Sequence, residues 1–202
     1  MFQVTARDSQ TGARCAELKT AHGLVHTPAF MPVGTQGTVK TLTVRDLKEC
    51  GVEILLSNVY HLSLRPGQKI IELAGGLHRF MAWEGPILTD SGGYQVFSLA
   101  AKCRVTDEGV AFASHTDGST HTLTPKGVIG FQMGIGVDIA VQLDQCVRYP
   151  CERPEAEEAL GRTTQWAQRS KEEFVLRQAQ DERGRETQGE RSLLFEIGRA
   201  HV

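Results

Sequence analysis

The sequence has no apolar run of the roughly 18 residues that a membrane-spanning helix needs, so no span is expected. The opening residues, MFQVTARDSQ, lack a secretory signal pattern, which points to the cytoplasm. An excess of either charge is missing too. Lys and Arg number 22 against 24 Asp and Glu, for a formal net charge of −2. That argues against a strongly basic nucleic-acid-binding domain, though not against a local basic patch. Cysteines do not come in pairs. The five (Cys15, Cys50, Cys103, Cys146, Cys151) are odd in number and include no Cys-x-x-Cys. A disulfide framework and a cysteine-based zinc site within the chain are both unexpected. What remains is ordinary. The chain has 202 residues, 40% hydrophobic and 23% charged, enough for one soluble domain with a real core.

The pattern along the chain alternates. The first 30 residues read as short strands with polar turns, an antiparallel entry unit. AFMPVG (29–34) reads as a buried strand, TLTVRDLKECG (41–51) as a helix capped by Thr43 and stopped by Gly51. EILLSN (53–58) and PILTD (86–90) read as further buried strands, with a helix at QKIIELAGG between them. Turn signals within RVTDEGVAFASHTDGSTHTLT predict a β-hairpin excursion. A helix with Thr124 as cap and Pro125 in its first turn follows, then a strand over 137–145. The longest helix is predicted over 152–174, with Leu160, Thr164, Ala167 and Phe174 near one face.

Strands alternating with helices predict parallel βα units, in a (β/α) barrel or an open doubly wound sheet. Polar residues collect where the strands end: Gly34-Thr35-Gln36, Asn58, Asp90 and Asp144. A barrel brings all such ends to one face, where its active site sits, and this favours the barrel.

Asp90 and Asp144 end neighbouring strands. Two such carboxylates can divide labour between proton transfer and recognition of a donor group. Each can equally cap the next helix. Ser91-Gly92-Gly93 lets the backbone approach a flat ligand, and Tyr94 offers a ring on which a base can stack. Gln95 can add an amide. His61, beside Asn58 and Tyr60, reads as an orienting residue rather than a base. Cys146, two residues past Asp144, would share its face on a strand.

Four stretches, HTPAFMPVGTQGTVK (26–40), SNVYHLSLRPGQ (57–68), GPILTDSGGYQVFSL (85–99) and LDQCVRYP (143–150), together resemble the tRNA-guanine transglycosylases, in that family's order and spacing. The resemblance covers roughly residues 1–172 and is to the bacterial, queuosine-forming branch. It implies a (β/α)8 TIM barrel, present here as an incomplete N-terminal half with an antiparallel unit in front. It implies exchange of guanine at the anticodon wobble position of tRNA for a 7-deazaguanine. Asp90 matches the proton acceptor, residues 90–94 the base-binding loop, Tyr94 the stacking aromatic, Asp144 the acid that reads the guanine edge, and Cys146 a pocket-lining thiol. Asn58 joins them as a substrate-binding residue. A zinc ion, tRNA as partner and a homodimer are implied for full-length members. Two other readings stay open: a non-catalytic accessory subunit of the same superfamily, and a barrel glycoside hydrolase using Asp90 and Asp144.

The resemblance also implies a nucleophilic aspartate, a Cys-x-Cys-x-x-Cys plus His zinc set and basic tRNA-contacting segments beyond the stretch covered here. The chain is therefore expected to be a fragment, inactive alone, with a partial barrel domain over 1–196. Within it, FVLRQAQDERGRETQGER (174–191) departs from the family pattern as a polar insertion. IGRAHV (197–202) is what ATCGGAAGAGCACACGTC encodes, a string like a common sequencing adapter, and is expected to be a read-through tail.

Overall fold

A β-meander opens the chain. The computed structural model describes residues 2–99, 102–184 and 192–195. Strands β1 (Phe2–Arg7), β2 (Arg14–Thr20) and β3 (Gly23–Thr27) pair antiparallel in that order. Alternation along β2 buries Ala16, Leu18 and Thr20, and Leu18 faces Val25 of β3. The expected entry unit is present.

The helix α1 (Val44–Glu49) follows. Thr43 and Asp46 form a reciprocal capping box, and Gly51 ends the turn at a φ of +71°. Next come β4 (Leu55–Asn58), α2 (Val59–Leu64), α3 (Gln68–Leu73), α4 (Leu77–Met81), β5 (Ile87–Asp90) and α5 (Gly93–Leu99). The excursion is a second antiparallel sheet of β6 (Cys103–Thr106), β7 (Gly109–Ala113) and β8 (Thr120–Leu123). The chain returns through α6 (Pro125–Gly134), β9 (Ile139–Val141), α7 (Arg153–Gly184) and β10 (Leu193–Phe195).

Strands β4, β5, β9 and β10 form a parallel sheet in the order β10-β9-β5-β4. The protein is thus α/β with consecutive parallel strands as neighbours; the described residues do not close a barrel. Both faces are covered, which explains why the strands are apolar without alternation. On one face Ile54, Leu88, Ile139 and Val141 pack on Leu18 and Val25 of the entry unit. On the other, Leu55, Ile87 and Ala140 pack among Tyr60, Ile71, Val96, Ile129 and Trp166 from the helices.

Several expectations need correction. Residues 29–34 make no strand beyond one bridge, Val33 to Leu56, and Val33 is half exposed. Strand β9 is three residues long, not nine. Beyond Ala140 the side chain of Gln132 takes both backbone groups of Val141, accepting from its N–H and donating to its C=O, each at 2.9 Å. Helix α7 buries Ala156, Ala159, Thr163, Trp166, Ser170 and Phe174, while Leu160 and Thr164 face outward. The buried face mixes small residues with the large rings of Trp166 and Phe174, so apolarity alone did not mark it. The helix also continues past 174 to Gly184, through part of the segment read as an insertion. Residues 185–191 and the proposed tail 197–202 lie outside the described residues.

Candidate active site

The polar ends of β4 and β5 lie side by side. Asn58 and Asp90 are partners in the parallel register, one pair beyond Ser57 and Thr89. With a two-residue period, Asn58 follows Leu56 and Asp90 follows Leu88 on the face that packs on the entry unit. Asn58 works at both ends of its amide. Its Oδ1 accepts from the backbone N–H of His61 and caps α2, at 3.0 Å. Its Nδ2 donates to both oxygens of Asp90, at 2.6 and 2.7 Å. His61 thus orients Asn58 through its backbone rather than its ring. Burial holds the His61 ring below the usual imidazole range, with His115 and Lys40 acting in the same direction.

Asp90 also accepts from the Gly92 N–H at 3.0 Å. Burial is the largest influence on its carboxyl and pushes it up to about 6. The bonds from Asn58 and Gly92 oppose that rise, and the Asp144 charge adds to it. A carboxylate poised there is mostly ionised at neutral pH yet basic enough to take a proton.

The turn after β5 links this pair to the second carboxylate. Ser91 Oγ donates to Asp144 Oδ1 at 3.1 Å and accepts from the Gly93 N–H at 3.3 Å. The Cys146 thiol lies 3.7 Å from Asp144 Oδ2. Both glycines are required by space. Gly92 has a φ of +81°, and a Cβ there would stand 2.8 Å from the Tyr60 nitrogen. A Cβ on Gly93 would run into the Asp144 backbone oxygen and come within 2.7 Å of its Oδ1. Ser91 and Asp144 are almost wholly buried. Tyr94, in the first turn of α5, is 61% exposed and free to present its ring. A cavity of about 40 Å³ beside Asp144 is lined by Gly93, Val96, Phe97, Cys103 and Cys146 among others.

The structure therefore gathers Asn58, Asp90, Ser91, Gly92, Gly93, Asp144 and Cys146 at one end of the parallel sheet, with Tyr94 at its rim. Asp144 and Cys146 sit in the irregular segment beyond the end of β9 rather than on the strand, where the thiol still lies 3.7 Å from the carboxylate. Gln132 was missed. Its Oε1 accepts from Thr89, the residue before Asp90, at 2.7 Å. An amide in the middle of the apolar helix GVIGFQMG was the available signal.

The sulfur-rich zinc set implied by the resemblance has no counterpart among the described residues. The cysteines form no disulfide, and the one His/Cys/Asp/Glu cluster of metal-binding size there contains no sulfur. No helix among the described residues is long and apolar enough to cross a membrane.

Comparison with known proteins identifies the family. The family profile described as queuine tRNA-ribosyltransferase matches residues 8–197. A queuine tRNA-ribosyltransferase of Desulforudis audaxviator is 56% identical over 171 residues, covering 85% of this chain and 46% of the relative. The one from Pelotomaculum thermopropionicum is 56% identical over 168 residues, 83% of this chain and 45% of its own length. That of Solidesulfovibrio magneticus is 57% identical over 157 residues, 78% and 42% respectively. The chain thus spans less than half the length of these curated relatives. With a profile match over most of its length and relatives above half identity, the chain belongs to the queuine tRNA-ribosyltransferase family.

Proposed function

We propose that this chain carries the base-recognition part of a tRNA-guanine transglycosylase, an enzyme that exchanges guanine at the anticodon wobble position for a 7-deazaguanine. One observation carries the reading. Two carboxylates, the partly buried Asp90 at the end of β5 and the buried Asp144 beyond the end of the adjacent β9, are joined by the Ser91–Gly93 turn. Asp144 would accept hydrogen bonds from N1–H and the exocyclic amine of guanine, a pairing that adenine cannot offer. Tyr94 would stack on the base once it has left the RNA stack. The backbone of the glycine turn allows that close approach.

In the full reaction a nucleophilic carboxylate attacks the ribose C1′, the C1′–N bond to guanine breaks, and guanine leaves with a proton. The incoming base then gives a proton to Asp90 and attacks C1′, releasing the nucleophile. By resemblance that nucleophile is an aspartate outside this chain, as are the zinc ligands. The whole enzyme would be a (β/α)8 barrel acting on tRNA as a homodimer, with residues 1–196 as part of that barrel.

Calorimetry of the purified chain with guanine, a 7-deazaguanine and adenine tests this, alongside incorporation of labelled guanine into tRNA. The expected result is binding of the first two bases, abolished by Asp144→Asn, and no incorporation. Equal binding of adenine, or binding of glycans instead, would overturn base recognition. Turnover by the chain alone would overturn its assignment as an incomplete enzyme.

A further inference from the structure

A second cluster of titratable side chains lies at the opposite end of the parallel strands. Asp138, just before β9, is 1% exposed, and its side chain is wholly buried. Its Oδ1 accepts from the His22 backbone N–H at 3.0 Å and faces His22 Nδ1 at 2.9 Å. Its Oδ2 accepts from the Ile87 N–H at 2.9 Å and faces His78 Nε2 at 3.0 Å. The two imidazoles stack with centroids 3.7 Å apart and planes 18° apart. His22 comes from the β2–β3 turn, His78 from α4 and Asp138 from the start of β9, so three separate parts of the fold meet at one carboxylate.

We propose that His22 Nδ1, His78 Nε2 and one Asp138 oxygen form a site for a single divalent transition-metal ion of the zinc class. The three donor atoms already lie within 4.8 Å of one another. Around a tetrahedral Zn²⁺ with bonds of about 2.0–2.1 Å, neighbouring donors are about 3.3 Å apart. His22 Nδ1 faces Oδ1 at 2.9 Å and His78 Nε2 faces Oδ2 at 3.0 Å, so one nitrogen already stands a few tenths of an ångström from that spacing to the ligand oxygen, and the other ring closes in from the second oxygen, starting within 4.8 Å. Stacking holds the two rings side by side, as adjacent ligands require. Two imidazoles and one carboxylate suit borderline cations such as Zn²⁺ and Co²⁺ better than Mg²⁺ or Ca²⁺. The remaining backbone bonds from His22 and Ile87 would orient the carboxylate from outside the metal shell. The His22 side chain is 40% exposed, which gives the ion a way in and leaves room for a water ligand. On binding, the protons at His22 Nδ1 and His78 Nε2 move to the other ring nitrogens or to water. The ion would clamp the antiparallel entry unit to the sheet. It is distinct from the zinc implied for full-length relatives, whose sulfur ligands are not part of this cluster.

Titration of the full chain with Co²⁺, after removal of adventitious metal, tests the site by equilibrium dialysis and visible spectroscopy. The expected result is one strong site with cobalt d–d bands, no sulfur-to-cobalt charge transfer, and displacement by Zn²⁺. His22→Gln and His78→Gln should each weaken binding by about tenfold or more, the loss seen even for outer-shell changes. His22 is partly exposed and Gln can keep its bond to Asp138, so His22→Gln serves if the buried-side variant fails to fold. No Co²⁺ bound, a thiolate charge-transfer band, or unchanged affinity in His22→Gln would each overturn the proposal.

Discussion

The side-chain NH₂ of Asn58 reaches both oxygens of Asp90, at 2.6 and 2.7 Å, while its carbonyl caps α2. One residue therefore sets the carboxylate in place and starts the next helix. The two jobs can be separated. Asn58→Ser should keep the cap and lose the clamp, whereas Asn58→Ala loses both. The alanine variant is expected to be less stable than the serine variant by about 1 kcal/mol, the usual worth of an N-cap, measured by urea denaturation. In both, the Asp90 carboxyl should titrate above its present value of about 6, because the Asn58 bond is the strongest influence holding it down. A ¹³C NMR titration reads this directly, and an unchanged midpoint would show that the clamp does not tune the acid.

Asn58 and Asp90 were legible as polar residues ending apolar strands, and the glycines after Asp90 as a turn built for close approach. The Ser91–Asp144 bond was not, because it joins residues 53 apart and depends on which strands are neighbours. The face of α7 was misjudged for a related reason. Leu160 is the larger apolar residue, yet Ala156 and Ala159 are buried and it is 47% exposed, because burial follows which face of α7 meets the rest of the fold. The His22–Asp138–His78 cluster gave no local sign, its members being spread over 116 residues. Local propensity and capping fixed most elements; pairing across the sheet decided the rest.

The raised carboxyl of Asp90 makes stability depend on pH with a definite sign. An ordinary aspartate titrates near 3.9, and that of folded Asp90 near 6. Between those values the folded state holds more protons than the unfolded one, so stability falls as pH rises through this window. The cost of the buried charge is fully present above 6 and is on the order of 3 kcal/mol at most. Asp90→Asn should be the more stable protein at pH 7.5, with the gap closing as pH falls toward 4. Denaturation midpoints of both proteins across that range check it, and a pH-independent gap would count against a buried ionised Asp90. Base deprotonation by Asp90 should fail in the same window, below about 6.

Gln132 substitutes for a strand. Its amide bonds the N–H and C=O of Val141, the carbonyl of Val128 and the hydroxyl of Thr89. Gln132→Leu keeps the volume and leaves the Val141 and Thr89 groups buried without that partner. A loss on the order of 2–4 kcal/mol is expected, from stranded polar groups rather than lost packing. Pairing it with Thr89→Val in a double-mutant cycle should recover part of the loss. Strictly additive effects would show that the Thr89–Gln132 bond carries no coupling.

Gly93 separates turn geometry from charge. An added Cβ would press on the Asp144 backbone oxygen and approach its Oδ1 to 2.7 Å. Gly93→Ala should therefore displace the turn from Asp144 and weaken guanine binding in calorimetry by on the order of tenfold, with both carboxylates intact. The displaced Ser91 hydroxyl is the intermediate cause, so Ser91→Ala should lower affinity in the same direction but less. Full affinity in Gly93→Ala would mean that the turn is not part of the base site.

Tyr94 gives the cleanest separation of binding from folding. Its ring is 61% exposed and lies tilted at 46° to that of Phe97, at a centroid distance of 6.5 Å. Removing it takes little from the core, so Tyr94→Ala should change stability by no more than about 0.5 kcal/mol. If the ring stacks on the base, the same change should cost about 1–3 kcal/mol of affinity, or roughly a 5- to 150-fold weaker dissociation constant. Tyr94→Phe should restore binding, because stacking needs the ring and not the hydroxyl. Calorimetry and urea denaturation on the same three proteins decide it. Equal affinity in the alanine and phenylalanine variants would remove Tyr94 from the site, and a fall in stability to match the fall in affinity would make its role structural.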